Sequence, residues 1–139
     1  MQRILDGELP SVPIGALMDF IPVEGEPGRI VFQGSPGNQH YNPLGSVHGG
    51  WFATLLDSAL GCAVHACLPA GKAYTTLELK VNLVRAIGPK VQRVRAIGQT
   101  IHVGNQTATA EARLVGADGK LYAHGSTTCL VFDLRLPGQ

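Results

Sequence analysis

The clearest pattern in the chain is one long apolar segment, residues 51–67, which contains a single carboxylate, Asp57. A glycine pair precedes the segment, and Leu68-Pro69-Ala70-Gly71 follows it. Apolar residues at this density over 17 positions favour a buried helix, and the Pro and Gly that follow are typical of a helix end. The pattern therefore predicts one helix from about Gly49 to Cys67.

The segments on both sides of this helix alternate between apolar and polar positions, as strands do. The predicted strands cover residues 17–23 and 29–32 before the helix, and residues 76–83, 91–103, 107–114 and 121–132 after it. Strict alternation over residues 76–83 places Thr75, and not Thr76, on the face of Leu77 and Leu79. Together the elements predict an α+β fold, in which an antiparallel sheet of five to six strands wraps around one long central helix.

The length of 139 residues predicts a single domain, residues 1–139, with residues 1–16 as a loose N-terminal lead-in that includes at most one short helix. Charged residues make up 15% of the chain, against about a quarter in typical soluble domains. A small domain so poor in charge must cover apolar surface, and self-association is the simplest way to do so. We therefore expect a homodimer or a homotetramer.

The net charge of +1 argues against nucleic-acid binding, which requires a strongly basic face. The charge is uneven, however, because residues 72–95 carry six basic side chains and one acidic side chain, Glu78. A basic patch of this kind suits one phosphorylated small molecule, and solvated strand faces explain it equally well.

The cysteine pattern and the hydropathy predict a cytoplasmic location. The three cysteines have no CxxC spacing, which is typical of reduced thiols that pack as small apolar groups. The first residues lack the apolar core of a signal peptide. Because the long apolar segment contains Asp57 and His65, it predicts a buried helix rather than a membrane span.

Two features of the helix carry candidate chemistry. The glycines at its start leave backbone N–H groups uncovered at the positive end of the helix dipole, where they can bind a developing oxyanion. Asp57 needs a partner or a function, because burying an unpaired carboxylate is costly. An oxyanion site and a lone acid together suggest hydrolysis of an activated carbonyl compound.

The spacing of these two features predicts how they meet. Asp57 follows Gly49 by eight residues, about 12 Å along a helix axis, so one carbonyl cannot touch both within one helix. If both act on one substrate, the acid comes from an antiparallel helix, most simply that of a twofold-related subunit. Small residues recur at helical spacing on this face and would allow close approach: Gly50, Ala53, Thr54, Ser58 and Gly61.

The segment Asn42-Pro43-Leu44-Gly45-Ser46-Val47-His48-Gly49-Gly50, with an Asp nine residues after the His, resembles a known family. It is similar to the hotdog-fold acyl-CoA thioesterases of the phenylacetate-degradation (PaaI) type, in the superfamily of 4-hydroxybenzoyl-CoA thioesterase. The resemblance covers residues 28–132 and includes the strand 76–83 and the segment 101–104. It implies a hotdog fold and hydrolysis of an acyl-CoA thioester without metal or cofactor.

The resemblance also implies roles for catalytic residues. The Gly49 N–H would polarise the thioester carbonyl, aided by the Asn42 side chain. Asp57 of the partner subunit would act on water as general base, or as nucleophile. The Thr76 hydroxyl would help to hold the water, and His48 would orient the site.

Four further residues match positions near the substrate in the family: Gly50, Arg85, His102 and Gly104. The chain departs from the family where it has Arg85-Ala86 in place of Arg-Pro, and Gly104-Asn105 in place of Gly-Arg or Gly-Lys. Both departures lie near the expected CoA end. Two rival functions stay open, namely a hotdog hydratase or dehydratase of enoyl thioesters and a non-catalytic acyl-CoA binding module.

Overall fold

The structure is a computed structural model that describes residues 2–135 and 137–138. Two short helices come first, α1 (Gln2–Leu5) and α2 (Pro13–Met18), followed by strands β1 (Phe20–Glu26) and β2 (Arg29–Gly34). A short 3-10 helix (Asn38–His40) precedes the long helix α3 (Gly49–His65). The remaining strands are β3 (Lys72–Leu83), β4 (Val94–Val103), β5 (Thr107–Gly116) and β6 (Leu121–Asp133).

The six strands form one antiparallel sheet in the order β1-β2-β4-β5-β6-β3. Helix α3 packs on one face of it, with Leu55, Leu56 and Leu60 fully buried. The alternate alanines of β5 are buried in the same core. The helix and sheet backbones are in close contact at Gly98, where an added Cβ would lie 2.6 Å from the Ala59 carbonyl carbon. The predicted α+β architecture, a sheet around one long helix, is confirmed.

The N-terminal segment differs from its prediction. Residues 1–16 were expected to be a loose lead-in with at most one short helix, and the first strand to begin at residue 17. The structure instead has two short helices, α1 and α2, and β1 begins at Phe20. Pro13 is pre-organised for the first turn of α2. The Trp51 indole N–H donates to the Met18 carbonyl at 2.8 Å, and Asp19 ends the helix with a φ of 54°. A long-range contact to the core therefore holds this segment.

A β-bulge in β3 overturns the alternation predicted for that strand. Thr76 pairs with Cys129 and Glu78 with Thr128, so Leu77 is the extra residue. The bulge turns Leu77 outward, where 61% of it is exposed, and brings Thr76 to the helix side. Strict alternation, which places Thr75 on the face of Leu77 and Leu79, therefore does not hold across the bulge, and Thr76 faces the helix.

Within the described ranges, no helix is long and apolar enough to cross a membrane. The three cysteines carry free thiols, as the sequence predicts.

Candidate active site

Within the part of the chain that the structure describes, the start of helix α3 presents one free N–H group. The Gly50 N–H donates to His48 Nδ1 at 2.8 Å, and the Trp51 N–H donates to the His48 carbonyl at 2.9 Å. Over residues 2–135, the Gly49 N–H has no acceptor. It can therefore bind an oxyanion, whereas the N–H of Gly50, the other predicted site glycine on this helix, is used by the cap.

His48 caps the helix and ties it to the preceding loop. Because its Nδ1 accepts a hydrogen bond, the neutral ring carries its proton on Nε2. Its backbone N–H donates to the His40 carbonyl at 2.8 Å. His40 is itself buried, and its Nδ1 accepts from the Gly37 N–H at 3.0 Å. His48 is thus placed at the helix start by a hydrogen-bonded loop.

Asn42 uses its side chain to build the same loop. Its Oδ1 accepts from the backbone N–H groups of Leu44 (2.9 Å) and Ser46 (3.2 Å), and its Nδ2 donates to Ser46 Oγ at 3.1 Å. This is an Asx turn, which fixes the path of the chain before α3. Direct contact of Asn42 with a substrate carbonyl stays a prediction.

The structure brings together two other predicted residues, Asp57 and Thr76. The Thr76 hydroxyl donates to Asp57 Oδ1 at 3.1 Å, and both side chains are half-buried between α3 and β3. Their contact depends on the bulge, which turns Thr76 towards the helix. The carboxylate is therefore oriented by a neighbouring strand, and its second oxygen has no hydrogen-bond partner among the described residues.

Gly49 and Asp57 remain apart within one chain. A Cβ on Gly49 would lie 2.9 Å from Leu83 Cδ1, at one end of β3, whereas Asp57 contacts Thr76, seven residues earlier on that strand. The helical rise separates the two groups by about 12 Å. A single carbonyl cannot contact both in one subunit.

The predicted substrate-binding residue Arg85 lies far from two others, His102 and Gly104. Arg85 follows the Leu83 end of β3, whereas the turn between β4 and β5, which carries Gly104, is level with Thr75 across the sheet. The strand rise puts these ends about 27 Å apart. His102 is exposed and lies beside Gly104, since a Cβ added to Gly104 would be 3.1 Å from His102 Nε2.

Some basic side chains of residues 72–95 form ion pairs, and others line a cavity. Lys72 pairs with Asp133 at 2.9 Å and Arg95 with Glu24 at 3.2 Å. Lys90 and Arg93, by contrast, line a surface cavity of about 740 Å³, and neither forms an ion pair in the described part of the chain. A second cavity of about 450 Å³ opens beside His48 and Gly50 at the start of α3.

Sequence reasoning missed two groups beside Asp57. Burial raises the pKa of the Cys62 thiol to about 11, with a smaller contribution from the Asp57 charge. Burial also raises the pKa of the Tyr74 hydroxyl above its usual range, and the neighbouring Cys62 and Asp57 raise it further. Both groups stay uncharged at neutral pH. The sequence contained one signal for Tyr74. It precedes Thr76 by two residues on the same strand, and residues two apart on a strand share a face.

Among the residues described, no three His, Cys, Asp or Glu side chains form a group that could hold a metal ion.

Comparison with known proteins gives a consistent assignment. Residues 44–123 match the model of the thioesterase superfamily. PA1618, a Pseudomonas aeruginosa protein provisionally named an esterase, is 35% identical over 80 residues, which make up 58% of this chain and 54% of that protein. The chain thus matches about half the length of this relative.

Two solved structures have the same fold. Thioesterase HI1161 from Haemophilus influenzae is 20% identical, with a TM-score of 0.84 over 95% of this chain and 91% of that chain. A phenylacetic acid degradation-related protein from Ralstonia eutropha JMP134 is 24% identical, with a TM-score of 0.83 over 93% and 97%. The hotdog fold is confirmed, and since the family match covers more than half of its residues, the chain belongs to the thioesterase superfamily.

Proposed function

We propose that this chain is an acyl-CoA thioesterase that hydrolyses an acyl-CoA to the free acid and CoA, at sites shared between two subunits. The observation that carries the proposal is the division of the catalytic groups along α3. A free Gly49 N–H lies at its start and an Asp57 carboxylate held by Thr76 lies near its middle. Membership of the thioesterase superfamily supports thioester chemistry.

The edge strand β3 supports a shared site. Its outer edge has no partner strand in residues 2–135, and Leu77 and Leu83 on it are 61% and 56% exposed. An antiparallel β3 from a second copy, with the twofold axis near Leu79 and Lys80, would set Leu83 of the partner subunit opposite Thr76. Because Gly49 lies beside Leu83, the partner's Gly49 would then reach Asp57.

In the proposed reaction, the Gly49 N–H of one subunit donates to the thioester carbonyl oxygen, where negative charge develops in the transition state. Such a donor is worth about 3–4 kcal/mol. Asp57 of the other subunit takes a proton from water, which attacks the carbonyl carbon, and a general base contributes about 10²–10⁴-fold. The C–S bond then breaks, and the proton that Asp57 took from water passes to the sulfur, so that CoA leaves as the thiol and the carboxylate is regenerated. Thr76 keeps the carboxylate aimed at the water.

The first test measures release of free thiol from acetyl-, hexanoyl-, lauroyl-, phenylacetyl- and benzoyl-CoA. Asp57→Asn is expected to lower kcat at least about a hundredfold, the low end for loss of a general base. Asp118→Asn is the matched control, because Asp118 is an exposed carboxylate in the hairpin before β6. Loss of enoyl-CoA absorbance without thiol would favour a hydratase, and binding without turnover would favour a binding module.

A mixing experiment tests whether the site is shared. Gly49→Pro removes the N–H at the first helical position, where proline is tolerated and the preceding His48 already has extended backbone angles. Gly49→Pro and Asp57→Asn should each be inactive, yet a mixed dimer retains one intact site. Random exchange of subunits should restore about a quarter of wild-type activity. No recovery after exchange would contradict the shared site.

A further inference from the structure

The groove between α3 and β3 contains Tyr74 one helical turn beyond the candidate acid. Asp57 contacts Thr76, and four residues later Gly61 faces Tyr74, the next inward residue of β3. A Cβ on Gly61 would lie 2.6 Å from the Tyr74 hydroxyl and 2.8 Å from its ring, so the phenol lies directly on the helix backbone. The ring also packs against His65, with centroids 5.6 Å apart. Tyr74 thus spans the groove from strand to helix.

A cavity lies on the far side of this tyrosine. Its volume is about 480 Å³, which is within the range of small-molecule sites. Its lining is mostly apolar and includes Leu5, Ile30, His65, Ala66, Leu68 and Lys72. Because Lys72, Tyr74 and Thr76 alternate along one strand, the Tyr74 side chain lies between the cavity and Asp57.

We propose that Tyr74 closes the acyl end of the catalytic groove and restricts this enzyme to short or compact acyl groups. This inference rests on the proposed thioesterase function. Asp57 and Gly61 are one helical turn apart, about 6 Å along the axis. An acyl chain whose carbonyl lies within reach of Asp57 therefore has little room before it meets Tyr74. Replacing Tyr74 by a small residue would join the groove to the cavity and admit a long chain.

The electrostatics of the groove favour the acyl end of the substrate there over the CoA end. The burial and the Asp57 charge that raise the pKa of Cys62 and Tyr74 disfavour any anion in the same space. The nucleotide end of CoA carries several phosphate charges, whereas an acyl chain carries none. Two basic side chains that form no ion pair in the described residues, Lys90 and Arg93, lie elsewhere, on the loop before β4.

The test compares kcat/KM for butanoyl-CoA and lauroyl-CoA in the wild type, Tyr74→Val and Tyr74→Phe. Valine suits an edge strand, so Tyr74→Val keeps the fold while it removes the ring. The wild type should prefer butanoyl-CoA, and Tyr74→Val should raise the lauroyl-to-butanoyl ratio at least about tenfold. Tyr74→Phe keeps the ring and should leave the ratio unchanged. Binding of a non-hydrolysable butyl and a dodecyl thioether of CoA is measured in parallel.

The outcomes separate this inference from the proposed function. The inference is overturned if the wild type turns over lauroyl-CoA in preference to butanoyl-CoA. It is also overturned if folded Tyr74→Val has the same lauroyl-to-butanoyl ratio of kcat/KM as the wild type. Either result still supports the thioesterase function. Absent turnover overturns the thioesterase. In that case, tighter binding of the dodecyl thioether by Tyr74→Val alone still supports closure by Tyr74, and equal binding by all three proteins overturns it.

Discussion

The hydrogen bond from Thr76 to Asp57 gives the most direct test of how the site is positioned. Thr76→Val keeps the β-branched shape and removes only the hydroxyl that donates to Asp57 Oδ1 at 3.1 Å. A hydrogen bond to a charged group is worth about 1.5–3 kcal/mol. If this bond is what orients the carboxylate in the transition state, kcat should fall about 10–150-fold. Steady-state thiol release provides the measurement.

Thr76→Ser is the matched control, because it retains a hydroxyl at the same position. We expect Ser to keep most of kcat, and KM to change little in either variant, since Thr76 acts through Asp57 rather than on the substrate. Thermal unfolding verifies that both variants are folded. Full activity in Thr76→Val, or equal losses in the two variants, would refute the positioning role.

Two further predictions concern stability. Gly98→Ala places a Cβ 2.6 Å from the Ala59 carbonyl carbon, and thermal unfolding should show a loss of about 1–3 kcal/mol in stability. The control is Gly88→Ala, where an added Cβ has no atom within 4 Å and the stability should change by less than about 0.5 kcal/mol. Equal stabilities of the two variants would contradict the helix–sheet contact. Because the pKa of Cys62 is raised from 9.0 to about 11, the protonated thiol is favoured in the folded state. Stability present below pH 9 should therefore fall by up to about 2–3 kcal/mol as the pH rises through 11, and urea titrations of Cys62→Ala should show a smaller fall.

The elements that local sequence determines were predictable. Helix α3 was predicted from Gly49, where it begins, because the glycine pair and the apolar run that follows it are adjacent in sequence. Its end was predicted two residues late, since the chain leaves the helix at His65 before the Pro and Gly that mark the turn. The sheet was predictable in outline because apolar and polar residues alternate in most of its strands.

The elements that distant contacts determine were not predictable. Alternation assumes that every residue pairs, so it could not reveal that Leu77 is extra opposite β6 and that Thr76 turns inward as a result. Helix α2 likewise depends on the hydrogen bond from Trp51, 33 residues away from Met18. Neither signal is present in the local pattern of hydrophobic residues.

The candidate site divides in the same way. Gly49 and Asp57 could be identified because a helix start and a lone acid in an apolar run are visible within a short window. Tyr74 could not, because its position matters only through Gly61 opposite and the cavity behind it. The residues proposed to carry out the chemistry were therefore visible in sequence. The residue proposed to select the substrate, by contrast, depends on which strand position faces which helix turn.

The proposed chemistry and the proposed assembly both follow from the spacing between Gly49 and Asp57 on helix α3. An α-helix is rigid, so no motion short of unfolding can bring Gly49 to Asp57 within one chain. The edge of β3 meanwhile leaves Leu77 and Leu83 mostly exposed, in a chain in which only 15% of residues are charged. A partner strand at this edge would cover apolar surface and join the two half-sites in the same step. Under the proposal, the low charge content and the divided site are therefore two consequences of a single interface.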